Sequence, residues 1–204
     1  MKLHHNPASP FVRMVMVIAH ELRIAEQIEK IETGVFLPDR VNDAVAADNP
    51  LGKIPALITD HGTVLYDSRV ICEYLCHHAG DKVLLPDEPV SRFRILTLQS
   101  LAIGLMDAGV SRRYETAVRP QEKRWPDWVA RQHTRMEAGL DELEINWAGE
   151  LGTVNAGSIA AAVVLAYFDF RYDDLGWRDT RPKLAAFYEG FAARPSMTTT
   201  QPPA

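Results

Sequence analysis

The segment Asn49-Pro50-Leu51-Gly52-Lys53-Ile54-Pro55-Ala56-Leu57 places a turn directly before an apolar run. Pro50 and Gly52 are residue types that tight turns favour. Residues 54–59 predict a strand with Pro55 near its start, where a missing N–H interrupts no ladder. The backbone beside such a proline is free to pair with an extended peptide ligand. An ordinary loop-to-strand junction has the same pattern, so the segment alone leaves a structural role and a binding role open.

A second segment follows about ten residues later, Leu65-Tyr66-Asp67-Ser68-Arg69-Val70-Ile71-Cys72-Glu73-Tyr74-Leu75. Its Asp67-Ser68 pair is typical of a helix start. Near the N-terminus, Ser9-Pro10-Phe11 combines a capping serine with a proline at the first helical position. The order and spacing of these segments resemble the glutathione S-transferase family over about the first eighty residues. The resemblance continues more weakly through the remainder of the chain.

The first part of the chain predicts the element order β-α-β, a break, and then β-β-α. The predicted strands cover residues 1–5, 28–33, 56–59 and 63–66, and the predicted helices cover residues 10–22 and 68–78. Asp60-His61-Gly62 predicts a hairpin turn between the last two strands. Residues 34–48 are polar and irregular, with at most a helical turn.

Residues 79–89 form a predicted linker, since Gly80, Pro86 and Pro89 interrupt any regular pattern. Beyond the linker, the periodicity predicts only helices, which cover residues 90–114, 126–148, a buried helix from Ser158, and 182–194. The tail, residues 196–204, is expected to be loose. We predict an α/β domain over residues 1–78 and an all-helical domain over residues 90–204. The resemblance implies that the α/β domain is thioredoxin-like and binds glutathione.

Composition excludes several classes of partner for the 204-residue chain. The formal net charge is −5 with no block of like charge, which argues against nucleic acid and anionic membrane surfaces. The longest apolar run, Ile159 to Phe168, is too short to span a bilayer, and the N-terminus lacks a signal-peptide pattern. Cys72 and Cys76 lie four apart on one predicted helix, which suits a reducing compartment. A cytoplasmic protein is expected.

Ser9 is a candidate catalytic residue. As an N-cap it needs no further explanation. A helix N-terminus, however, also carries free N–H groups and partial positive charge, which pull a thiol with a pKa of about 8.5 toward the thiolate. The resemblance implies that the Ser9 hydroxyl activates the sulfur of glutathione.

Asp67 and Ser68 are candidate binding residues as well as helix caps. A helix N-terminus with a hydroxyl binds a carboxylate, and a neighbouring aspartate accepts hydrogen bonds from an ammonium group. Together the two residues suit the head group of an α-amino acid. The resemblance implies that they hold the γ-glutamyl end of glutathione.

The proline segment supplies the remaining candidates. The resemblance implies that the backbone of Ile54 and Pro55 pairs with the cysteinyl part of glutathione, and that the Ile54–Pro55 bond is cis. Lys53 is either a partner for the glycyl carboxylate or a solvated loop lysine.

Other residues carry weaker signals. Cys72, Cys76, His77 and His78 include metal-ligand types, but the cysteines fall among Val70, Ile71 and Leu75, which favours packing over a metal site. Asp107, Arg112, Arg113 and Tyr114 are candidates for a second-substrate pocket or for structural and solvated roles. Many family members place an acidic residue three positions after the serine that opens the buried helix. Here Ala161 follows Ser158 at that spacing, which puts the local capping in doubt.

The resemblance implies a glutathione transferase of the serine type that directs the glutathione thiolate at a small electrophile. Dehalogenation, isomerisation and peroxide reduction use the same thiolate, and the sequence does not separate them. A non-catalytic interaction module on the same fold is the alternative, because fold alone does not define function. The resemblance also implies a detoxifying homodimer without a metal, with the helices at residues 90–114 and 126–148 as the interface.

Overall fold

A mixed β-sheet forms the centre of the first part of the protein, as seen in a computed structural model that describes residues 1–34 and 42–203. Within these ranges the strands are β1 (Lys2–His5), β2 (Glu29–Glu32), β3 (Leu57–Ile58) and β4 (Val64–Leu65). Their order in the sheet is β2-β1-β3-β4. Strand β1 is parallel to β2 and antiparallel to β3, which is in turn antiparallel to β4.

The register of the sheet is fixed by buried leucines. Leu3 pairs with Leu57, which pairs in turn with Leu65, and both Leu3 and Leu57 are fully buried. The predicted hairpin joins β3 to β4, and Gly62 adopts the left-handed φ of 79° that a residue without a Cβ tolerates. The predicted strands are confirmed, although β3 and β4 are shorter than the sequence indicates.

Three helices accompany the sheet among the described residues, namely α1 (Pro10–Glu21), α2 (Asp43–Asp48) and α3 (Ser68–His78). Helices α1 and α3 pack against each other and bury Val15, Ile18, Ile71 and Leu75. Helix α2 lies in the segment that was expected to contain at most a helical turn, and Asn42 caps it by accepting a hydrogen bond from the Ala44 N–H. Residues 35–41 of that expectation lie outside the described residues.

The chain divides into two compact units, and the second, Glu88–Arg194, is helical. Its α-helices among the described residues are α4 (Pro89–Arg113), α5 (Pro126–Glu142), α6 (Ala156–Arg171), α7 (Trp177–Thr180) and α8 (Pro182–Ala192). Helix α6 packs against α4 and is buried from Ala156 to Phe168, as its apolar run predicts. Gly157 allows this close approach, because a Cβ there would lie 2.9 Å from the Ile95 carbonyl oxygen.

Helix α4 and the turn after it, Pro89–Val118, are long and apolar enough to span a membrane by length and composition alone. From the sequence, residues 90–114 are predicted to be a helix but not a candidate membrane span. A core helix of a soluble protein passes the same test, and α4 packs against both α5 and α6. The segment is therefore weak evidence for a membrane span.

The expected weakness in the capping of α6 is wrong, because the N-cap lies three residues before Ser158 and the helix begins at Ala156. Asn155 is the N-cap, and its side-chain oxygen accepts hydrogen bonds from the N–H groups of Gly157 and Ser158. Ser158 occupies the position normally held by an acid, and its hydroxyl oxygen accepts the Asn155 N–H at 2.9 Å. The capping box is complete, with serine in place of the acid.

The expectation of a loose tail is also wrong for its first residues. Helix α9 (Pro195–Thr199) belongs to the first unit, together with residues 1–87, rather than to the helical unit. Arg13 of α1 is buried and donates a hydrogen bond to the Met197 carbonyl oxygen at 3.1 Å. The Ser196 hydroxyl donates to the Glu21 carboxylate at 2.5 Å. These contacts with α1 order a segment whose composition is typical of a free terminus.

Candidate functional site

The three predicted site segments emerge at the same edge of the sheet. Ser9 follows the C-terminal end of β1, and Asp67-Ser68 follows the C-terminal end of β4. Pro55 precedes the N-terminal end of β3, which is antiparallel to both of those strands. Antiparallel pairing places the start of one strand beside the end of its neighbour. The topology therefore brings together residues that lie up to 59 positions apart in the chain.

Ser9 lies at the N-cap of α1 and is half-buried. Its Oγ accepts a hydrogen bond from the Val12 N–H at 3.3 Å. A hydroxyl that accepts this bond still has its own proton to donate. The Phe11 N–H has no partner among the described residues. The N-terminal end of α1 therefore has two unused donors, the Ser9 hydroxyl and this N–H group.

Asp67 and Ser68 begin α3 but differ sharply in exposure. One carboxylate oxygen of Asp67 caps the helix by accepting the Arg69 N–H at 2.9 Å, while the side chain stays 61% exposed. Ser68, the first helical residue, is only 2% exposed. The pair therefore presents an accessible carboxylate beside a helix N-terminus.

The loop before β3 is closed by Asn49, a residue that the sequence analysis did not select. Its buried side chain donates to the Lys53 carbonyl oxygen at 2.8 Å and accepts the Leu51 N–H at 3.1 Å. Asparagine before proline is a recognised signal for such side-chain closure of a turn. Gly52 completes the turn with a φ of 62°.

The residues after this turn match the predicted arrangement. The Ile54–Pro55 bond is cis, as expected, and the Tyr66–Asp67 bond is also cis, which the sequence did not predict. Ile54 forms no backbone hydrogen bond with any described residue. Lys53 is exposed and forms no ion pair within the described ranges. The loop thus offers a free backbone segment beside a free ammonium group.

This edge of the sheet has a positive electrostatic character. Helices α1 and α3 have 12 and 11 residues, and both begin here. Each N-terminus carries about half a positive charge. Lys53 adds a full charge, while Asp67 supplies the negative counterpart. The arrangement can bind a zwitterionic peptide whose anionic groups meet the helix ends and the lysine.

Cys72 and Cys76 are buried and not part of a disulfide, in agreement with the packing interpretation. Burial, together with the neighbouring Cys76, raises the pKa of the Cys72 thiol well above its usual range. A thiol of this kind is a poor metal ligand and a poor nucleophile. Within residues 1–34 and 42–203, no three histidine, cysteine or acidic side chains are grouped to hold a metal ion.

The weaker candidates differ in their exposure and in their contacts. The Arg112 guanidinium donates to the Asp174 carboxylate and lies over the Tyr172 ring at 4.5 Å, which indicates a structural role. Arg113 is exposed and has no ion pair among the described residues. Tyr114 is 40% exposed, and partial burial raises the pKa of its hydroxyl. Asp107 is exposed on α4.

Family models match both units of the chain. The model of the glutathione S-transferase N-terminal domain matches residues 8–78, and that of the C-terminal domain matches residues 126–190. The chain belongs to the glutathione S-transferase family. A glutathione S-transferase-like protein of Escherichia coli, YibF, is 35% identical and aligns with 100% of this chain and 99% of its own. A stringent starvation protein A homolog of Pasteurella multocida is 37% identical over 37% of this chain and 36% of its own.

Solved structures of glutathione S-transferases are similar over the whole chain. A family member from Pseudomonas fluorescens with bound glutathione is 44% identical, with a TM-score of 0.95 and coverage of 100% of this chain and 99% of the other. The same source gave a structure with bound S-(propanoic acid)-glutathione, at 43% identity, a TM-score of 0.91 and full coverage of both chains. A Methylobacillus flagellatus glutathione S-transferase with bound glutathione is 32% identical, with a TM-score of 0.88 and 99% coverage of both chains.

Proposed function

We propose that this glutathione S-transferase family member is an active transferase that binds glutathione at the sheet edge and directs its thiolate at a small electrophile. The observation that carries the proposal is the meeting of two helix N-termini and the free Ile54 backbone at one edge. Glutathione is a charged, extended tripeptide with a thiol at its centre, and this edge offers a complement for each part. The glutathione-bound relatives at 44% and 32% identity support the choice of ligand.

Each candidate residue has a proposed role in this site. Asp67 and Ser68 hold the ammonium and carboxylate of the γ-glutamyl end, and the Ile54 backbone next to Pro55 pairs with the cysteinyl residue. Lys53 neutralises the glycyl carboxylate. Ser9 donates a hydrogen bond to the sulfur, which stabilises the thiolate after its proton leaves to solvent. Positioning and thiolate stabilisation then supply most of the rate enhancement.

We further propose that the electrophile carries a carboxylate. The support is the Pseudomonas fluorescens relative, in which the bound molecule carries a propanoic acid group on the sulfur of glutathione. A halopropanoate gives a conjugate of this kind when the glutathione sulfur forms a bond to carbon and the halide leaves.

The first test compares 3-bromopropanoate with its neutral analogue 3-bromopropanamide, using bromide release in the presence of glutathione. We expect a higher kcat/KM for the acid than for the amide, because the proposed electrophile carries a carboxylate.

Two outcomes would contradict these proposals. Equal turnover of acid and amide by the wild-type protein would show that the enzyme does not require a carboxylate on the electrophile. Bound glutathione with no turnover above the buffer rate for either compound would favour the non-catalytic alternative.

We also propose that the protein is a cytoplasmic homodimer. Support for self-association comes from apolar side chains on the first turns of α4, where Val90 is 78% exposed and Phe93 is 65% exposed. Burial of apolar side chains of this size against a partner lowers the free energy of the complex. The proposed interface includes α4 and α5.

A further inference from the structure

His4 contacts both ends of the loop that carries Lys53, Ile54 and Pro55. Its backbone N–H donates to the carbonyl oxygen of Ala56, the residue directly after the loop, at 2.9 Å. Its ring Nε2 lies 2.7 Å from the carboxylate of Asp48, the last residue of α2 and the one before the loop begins. A single residue of β1 therefore fixes the start and the end of the loop.

The orientation of the His4 ring is determined by a further contact. Its Nδ1 lies 3.3 Å from the Thr33 hydroxyl, which itself donates to the Ile31 carbonyl oxygen at 3.1 Å. The His4 side chain is 2% exposed, so water competes poorly for these bonds. On one side the ring contacts Thr33, which follows β2. On the other side it contacts Asp48 at the end of α2.

Asn49 continues this chain of contacts into the loop. Its side chain bonds Leu51 and Lys53, and its carbonyl oxygen accepts the Gly52 N–H at 2.8 Å. The sequence of contacts thus runs from His4 through Asp48 and Asn49 to the residue before Ile54. The backbone of Ile54, the next residue, forms no hydrogen bond with a described residue.

We propose that His4 and Asp48 are positioning residues for glutathione, which hold the loop of residues 49–55 in the conformation that binds the cysteinyl backbone. The inference rests on the proposed glutathione site. A loop that is already ordered spares the ligand the cost of ordering it, so the link contributes to affinity without touching glutathione.

The position of Asp48 supports a role in the loop rather than in the helix. A carboxylate at the C-terminal end of a helix is disfavoured by the partial negative charge of the last carbonyl groups. Its removal should therefore not weaken α2 itself. The side chain is 27% exposed, so a smaller residue there leaves no large cavity.

The test uses variants that remove or keep the link. Asp48→Ala and His4→Leu remove it, while Asp48→Asn keeps an acceptor oxygen and His4→Gln keeps a donor at similar reach. Thr59→Val is the matched control, because Thr59 is also buried and its Oγ accepts the Thr63 N–H at 3.0 Å, but at the opposite end of β3.

Calorimetric titration with glutathione should show a five- to twentyfold weaker affinity in Asp48→Ala, and a value within about twofold of wild type in Asp48→Asn and Thr59→Val. In turnover assays, Asp48→Ala should raise KM for glutathione while kcat at saturation stays within about twofold. A merely structural contact would lower the melting temperature in Asp48→Ala and Thr59→Val alike and leave KM unchanged.

Amide hydrogen exchange of the ligand-free protein separates this inference from the proposed function. Asp48→Ala should speed exchange at Leu51 and Gly52, whose N–H groups bond Asn49, while Thr59→Val should not. Unchanged exchange and unchanged affinity in a folded Asp48→Ala variant would overturn the inference. If exchange is faster in Asp48→Ala but the wild-type protein does not bind glutathione, then His4 and Asp48 do order the loop, and it is the proposed glutathione site that is refuted.

Discussion

Ser9 illustrates how one side chain can combine a structural role with the chemical role that we propose for it. Its Oγ accepts the Val12 N–H and so caps α1, while the hydroxyl proton stays available for a thiolate. The sequence alone leaves capping and thiolate activation as alternatives, and the geometry makes the two roles compatible. Substitution of Ser9 by alanine removes both, so a second variant is needed to separate them.

Ser9→Asn provides that separation, because asparagine caps a helix about as well as serine but replaces the hydroxyl with a bulkier amide. We expect Ser9→Ala to lose about 0.5–2 kcal/mol of stability and Ser9→Asn to keep a melting temperature near wild type. Both variants should raise the pKa of bound glutathione, by about one unit for each 1.4 kcal/mol of lost thiolate stabilisation.

The measurement is the ultraviolet absorbance of enzyme-bound thiolate as a function of pH, with the melting temperature recorded in parallel. A thiolate pKa that does not move in either variant would limit Ser9 to helix capping. The Phe11 N–H and the end of α1 would then carry the activation.

The residues that the sequence did not reveal act through distant partners. Ser9, Pro55 and Ser68 are candidates from the sequence because each belongs to a local pattern of cap, turn or strand start. His4 and Asp48 lie 44 positions apart, and neither has a local signal for their contact. Asn49 did carry a local signal, as an asparagine before a proline, but it was interpreted only as part of the turn.

At the level of elements, helices with a strong start signal were predicted well. Pro10, Ser68 and Pro126 each mark the first residue of a helix in the structure. The sequence pattern places the cap of α6 at Ser158, three residues after the observed cap Asn155. The apolar run begins at Ile159, so periodicity alone could not show that Ala156 and Gly157 are helical.

The capping box of α6, with serine in place of the acid, leads to a quantitative prediction. Ser158 is fully buried, and its hydroxyl bonds the Asn155 N–H and the Thr153 carbonyl oxygen. Ser158→Ala leaves both groups without this partner and should cost about 1–3 kcal/mol of unfolding free energy in urea titrations. Asn155→Asp keeps the acceptor for the first-turn N–H groups and should stay within about 0.5 kcal/mol of wild type. Equal stability of Ser158→Ala and wild type would show that the hydroxyl bonds contribute nothing.

At the scale of the whole molecule, composition indicated that the chain divides into two units. It did not indicate that residues 195–204 belong to the first unit. The boundary between the units falls at Asp87, inside the predicted linker. Helix α9 has five residues and no sequence periodicity, and its place in the first unit depends on Arg13, which lies 184 positions from Met197. Contacts of this range are set by tertiary packing, which a local pattern does not encode.

The central claim is that the sheet edge, with Ser68 at the start of α3, binds glutathione through its γ-glutamyl end. Isothermal titration of the wild-type protein and Ser68→Ala tests it most directly, with cysteinylglycine as a ligand that lacks this end. We predict that Ser68→Ala weakens glutathione binding by about 1–3 kcal/mol, or about 5- to 150-fold, and leaves the weak binding of cysteinylglycine unchanged. A wild-type protein without affinity for glutathione, or a Ser68→Ala variant with undiminished affinity, would contradict the claim.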